Sequence, residues 1–156
     1  MSPYLAVLTL HVIGAAVLFG TGIGIAFFML MAHRSGDPRI IAHTAEVVVI
    51  ADFLFTATAV VLQPVSGAWL AANAGLPLLR GWIGASLALY ALTGVFWLPV
   101  VWIQLRLRNL ARAAAEQGAQ LPPEYQRLWR IWFACGFPAF AAVIGIIWLM
   151  VAKPGL

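Results

Sequence analysis

LAVLTLHVIGAAVLFGTGIGIAFFMLMAHRSGDPRIIAHTAEVVVIADFLF, residues 5–55, decides the fold. Between Leu5 and Ala32 no side chain carries a fixed charge, and His11 is the one that could acquire a positive one. The run exceeds the roughly 20 apolar residues needed to cross a bilayer's hydrocarbon core. It ends at His33-Arg34-Ser35-Gly36, and Asp37-Pro38 at once opens a second apolar run. Aspartate suits a helix N-cap and proline the first helical position, so the pattern predicts two membrane helices joined by a tight antiparallel turn. Ser2-Pro3 gives the same signal for the first helix, expected over about 3–34. That run lacks a basic leader and is too long for the apolar part of a secretory signal, so it reads as a retained span.

The rest of the chain repeats the theme. The second helix should reach about Asn73, where Ala74-Gly75-Leu76-Pro77 makes a turn. A third span is expected over about 80–105, and its helix should run on into water through Arg106, Arg108, Arg112 and Glu116 until Gly118. Pro122-Pro123-Glu124 then opens a helix whose membrane part covers about 128–152, leaving 106–127 as a cytoplasmic helical connection. The expected fold is all-α: a single domain over residues 1–156, a four-helix transmembrane bundle running up-down-up-down.

Composition agrees. The 156 residues are 63% hydrophobic and only 9% charged, against about 25% charged in a soluble domain. Lipid must therefore solvate most of the surface. The formal charge is +4, but the cations sit at the ends of apolar runs, and no basic face suited to nucleic acid is present. Arg34 and Arg39, with Arg106, Arg108, Arg112, Arg127 and Arg130, fall on one side of the membrane, against Arg80 and Lys153 on the other. The positive-inside rule puts the arginines in the cytoplasm and both termini outside, in a multi-pass protein of the cell inner membrane. Trp69, Trp82 and Trp148 should mark the outer boundary and Trp102, Trp129 and Trp132 the inner one. Cys135 is the only cysteine, so no intrachain disulfide can form, and there is no CxxCH haem-attachment site.

Short turns let depth be read by counting at about 1.5 Å per residue. His11 should lie level with about Val60, Gln63 with about Tyr90, and Tyr90 with about Met150, with Lys153 one turn above. A second layer, near mid-depth, gathers Asp52 and Thr56 with Thr21, Trp97, Pro99 and Pro138. Helical spacing puts Asp52, Thr56, Ala59, Gln63, Ser66 and Gly67 on one stripe of the second span. Polar groups shun lipid, so such stripes should face the bundle axis.

These layers supply the candidate site. A histidine inside a membrane is a functional candidate, and iron of haem b is a common partner for it. Met150 at the same depth would complete a His/Met ligand pair. Tyr90 and Gln63 could orient the imidazole or bond a ligand edge, and Lys153 could meet a propionate. Asp52, the only acid deep in a span, is a candidate for proton relay or cation binding, and with Lys153 one of two candidate catalytic groups. The structural alternatives are an imidazole bonded to a neighbouring carbonyl or to Gln63, and an Asp52 carboxyl bonded to Thr56 or Thr21.

The strings LHVIGAAVLFGTGIGIAFFMLMAHRSGD, ADFLFTATAVVLQPVSG, WLPVVWIQ and GFPAFAAVIGIIWLMVAKP resemble a family of bacterial integral membrane proteins known as a domain of unknown function. The resemblance covers nearly the whole chain and implies four helices and an inner-membrane home. A shorter likeness, carried by His11 early in span one and the terminal Lys153-Pro154, is to the HemJ-type haem-containing protoporphyrinogen oxidase. It implies an axial ligand at His11 and a residue needed for activity at Lys153, and an oxidoreductase acting on a porphyrin. The other functional classes the sequence allows are a transporter or channel subunit with a polar path through Asp52, Gln63 and proline-broken helices, and an accessory subunit without chemistry of its own. A homo-oligomer or larger membrane complex would use small faces such as Gly20-xxx-Gly24.

Overall fold

The computed structural model describes residues 2–155, and among them every regular element is helical. Four helices are long and apolar enough to cross a membrane: α1 (Pro3–Ser35), α2 (Pro38–Asn73), α3 (Gly81–Gln117) and α4 (Pro123–Ala152). Local chemistry sets most ends. Asp37 Oδ1 accepts a hydrogen bond from the Arg39 amide at 2.8 Å and caps α2. Gly36 and Gly118 close α1 and α3 in the left-handed conformation, which glycine adopts without steric cost. Ser2 precedes α1 but makes no side-chain cap bond, so Pro3 alone carries that start.

The helices form two antiparallel hairpins, α1–α2 and α3–α4, which meet most closely through Pro38–Ala51 of α2 and α3. That arginine-rich half holds the apolar core: Ile25, Met29, Ile41, Val48, Leu107 and Trp129 are among its members. In the other half the hairpins stand apart. No Cα of residues 57–73 comes within 8 Å of a Cα in α3 or α4. Backbone proximity between α1 and α4 is sparse, and Phe19 stacks on Phe140 there with ring centroids 5.0 Å apart.

One expectation needs correction. Trp129 and Trp132 are buried in the core and do not form an inner lipid-facing belt. The reason is polar and aromatic pairing: Trp132 Nε1 donates to Gln104 Oε1 at 3.2 Å, and Trp129 stacks on His33 with centroids 4.0 Å apart. Trp102 and Trp148 do remain exposed, as interfacial tryptophans should. The Gly20-xxx-Gly24 face stays open within the chain: no atom of another helix lies within 4 Å of where a Cβ on either glycine would stand. The close approaches of α1 and α2 use Gly14 and Gly67 instead.

The prolines do not break their helices. Pro64, Pro99 and Pro138 lie inside continuous helix. Among the described residues the one helical irregularity is a π-helical turn at Asp52–Thr56, where the Ala57 amide bonds the Asp52 carbonyl.

Candidate functional site

His11 sits on the face of α1 that meets α2, half-buried. Its Nδ1 lies 2.7 Å from Ser66 Oγ, and the Gln63 side-chain amide donates to the His11 carbonyl at 2.9 Å. Both contacts depend on glycine. A Cβ on Gly14 would fall 2.5 Å from Gln63 Nε2, and one on Gly67 would fall 3.2 Å from the imidazole Cε1. A larger residue at either position would press into the groups that hold His11. The depth arithmetic is thus displaced by about one and a half turns: His11 meets Ser66 and Gly67, beyond Val60. The π-turn accounts for part of this shift, since it inserts a residue below the contact.

The tautomer follows from the serine. Ser66 Oγ is 2.6 Å from the Leu62 carbonyl, and a hydroxyl has one proton, which is used there. The oxygen then accepts from His11 Nδ1–H, leaving Nε2 with its lone pair free. A histidine held this way through one nitrogen presents the other as a ligand or hydrogen-bond acceptor. Ser66 lay on the polar stripe read from spacing, but its pairing with His11 required the helix register.

The remaining expected site residues do not all converge on His11. The Tyr90 hydroxyl donates to the Val60 carbonyl. Proline has no amide hydrogen, so Pro64 leaves that carbonyl without its helical partner, and Tyr90 supplies one from the opposite hairpin. Tyr90 is therefore an interhelical tie and does not point its hydroxyl at the imidazole. Lys153 ends α4 in the left-handed conformation, exposed, with Nζ 6.0 Å from the centre of the Trp82 ring. Met150 is half-buried one turn below it. Asp52 is buried at 5% exposure, with the Thr56 and Trp97 side chains near its carboxyl group; Thr21 takes no part in the hydrogen bonding of the described residues. Among the described residues no three His, Cys, Asp or Glu side chains gather as a metal cage. Near the arginine-rich end Glu46 pairs with Arg112 at 2.6 Å, and Arg106 with Glu124 at 3.0 Å, all four exposed. Those pairs leave Glu46 engaged with an arginine, with His43 three residues before it in sequence.

The chain belongs to the family described as predicted integral membrane protein, DUF2269, whose profile matches residues 5–154. No curated protein and no solved structure matches it. The family description agrees with a membrane-integral chain and brings no activity; nothing in these matches supports the likeness to the HemJ-type oxidase.

Proposed function

We propose that this membrane protein binds haem b through His11 and serves redox or tetrapyrrole chemistry within the bilayer. The observation that carries this reading is the pinned imidazole, with Nδ1 held at 2.7 Å by Ser66 Oγ; with the serine proton on the Leu62 carbonyl, Nε2 would be the electron-pair donor. Two further features support it. Gln63 fixes the His11 backbone from the same helix that orients the ring. The two hairpins are also more widely spaced in the half of the membrane that contains His11, and side chains alone span that separation. Haem, when bound, would supply reversible one-electron chemistry at an iron centre.

In this reading the protein's own residues divide the work. His11 ligates, Ser66 sets its tautomer and direction, and Gly14 and Gly67 allow α2 to approach closely enough for both bonds. Met150 is the proposed second ligand, and Lys153, at the rim of the same half, is the proposed partner of an acidic ligand group. Tyr90 holds the hairpins in register.

The test is the reduced-minus-oxidised absorbance spectrum of detergent-purified protein produced with ample haem. Wild type should show haem bands, His11→Ala should lose them, and Ser66→Ala should retain less haem at equal protein. Colourless wild-type protein, or bands unchanged in His11→Ala, refutes the assignment.

A further inference from the structure

Asp52 and Thr56 are 5% and 7% exposed, and they bracket the π-turn of α2. A π-turn widens the helix by one residue and disturbs the regular amide–carbonyl ladder, an arrangement found often at functional sites. The Thr56 and Trp97 side chains lie near the Asp52 carboxyl. Thr56 Oγ1 is buried yet completes no hydrogen bond in this arrangement, so one polar atom beside the acid is left without a partner. Buried polar groups are rarely left so without a reason.

The chemistry of the neighbours selects the ligand. A metal cation would need several oxygen donors, whereas this site offers one carboxylate and one threonine hydroxyl, with the Trp97 indole nearby. No charged group is at hand to neutralise the acid. α1 has no titratable side chain between His11 and His33, α3 has only Tyr90 between Arg80 and Arg106, and α4 has only Cys135 between Arg130 and Lys153. On α2 itself the nearest ionisable group is Glu46, which is paired with Arg112. A proton is the ligand this set accepts.

The surroundings differ on the two sides. Below Asp52, towards the arginine-rich end, lies the apolar core with Ile25, Val48, Ile103 and Leu107. Above it, the same stripe of α2 continues through Ala59, Gln63 and Ser66 to His11. We infer that Asp52 is a proton-binding site that exchanges with the non-cytoplasmic side: the carboxylate takes up one proton to become a neutral acid and returns it past Thr56 and Gln63. No electron moves and no other bond changes, and the inference stands whether or not a tetrapyrrole is bound.

The experiment is infrared difference spectroscopy of purified protein in lipid nanodiscs between acidic and alkaline buffer. Wild type should show a protonated-carboxyl band that vanishes on alkalinisation and is missing from Asp52→Asn. Thr56→Val, which keeps the acid, should displace the titration midpoint, and this variant reads the site even if Asp52→Asn does not fold. After a pH jump, Gln63→Leu should slow the band's response, while Leu107→Ala should leave its rate unchanged. A band indifferent to pH, one that persists in Asp52→Asn, an unmoved midpoint in Thr56→Val, or equal rates in Gln63→Leu and wild type would each overturn the inference.

Discussion

Replacing Tyr90 by phenylalanine removes one oxygen and tests how the two hairpins are tied. Pro64 cannot donate to the Val60 carbonyl, and the Tyr90 hydroxyl is what satisfies it. Leaving a buried carbonyl unpaired costs about 1–3 kcal/mol. Interhelical hydrogen bonds in membranes average nearer ~0.6 and reach ~1.7 kcal/mol, because separated helices find other partners for their polar groups. Here the separated helix still contains Pro64, so the Val60 carbonyl gains no new amide and the cost should lie towards the upper figure. The expected loss for Tyr90→Phe is about 1.5 kcal/mol, roughly a tenfold change in the folding equilibrium. Pro64→Ala restores an amide four residues after Val60 and removes the need for the tie. In that background Tyr90→Phe should cost only about 0.5 kcal/mol, leaving a coupling of about 1 kcal/mol in a double-mutant cycle. Reversible unfolding in mixed micelles, followed by circular dichroism as denaturing detergent is added, measures all four proteins. Equal costs of Tyr90→Phe in both backgrounds would show that the carbonyl freed by proline is not what Tyr90 serves.

Three further outcomes follow from contacts elsewhere. Gly67→Ala puts a methyl 3.2 Å from the imidazole; overpacking typically costs about 1–3 kcal/mol, so the change should destabilise wild type yet be harmless in a His11→Ala background, by the same unfolding assay. Trp132→Phe removes the donor to Gln104, which is 2% exposed, and should cost about 1–2 kcal/mol. Adding Gln104→Leu should recover most of that loss, and a further loss would contradict the pairing. Glu46→Gln breaks the exposed pair with Arg112 and should leave the unfolding midpoint unmoved, since solvent and salt screen such pairs; a clear drop at high salt would show the pair to be shielded.

The reading of the site divides along physical lines. His11 as an intramembrane polar residue and the inward stripe of α2 were legible, because helical spacing determines which residues share a face. The partners of His11 were not. Counting from the turn placed it beside Val60, but helix crossing and the extra residue of the π-turn carried it to Ser66 and Gly67. Tyr90 was expected to orient the imidazole or bond a ligand edge, and only the tertiary structure put its hydroxyl on the carbonyl that Pro64 leaves open. A signal for that pairing was present in the sequence, in a tyrosine near the depth of a mid-helix proline, but nothing in one dimension states which way the phenol turns.

Length and charge alone determined that this chain crosses a membrane four times, because lipid admits no other solution for long uncharged runs with closed backbone hydrogen bonding. Helix ends were equally local: Asp37-Pro38, Gly36 and Gly118 act within a few residues of themselves. What only the tertiary structure decided is the distribution of burial around the helices. It took Trp129 and Trp132 inward, left Gly20 and Gly24 without a close neighbour from another helix, and placed the tight apolar packing at one end of the bundle. In lipid, apolar side chains are equally at home on either face of a helix. Hydropathy therefore cannot choose the buried face, and shape complementarity and the pairing of a few polar atoms make the choice.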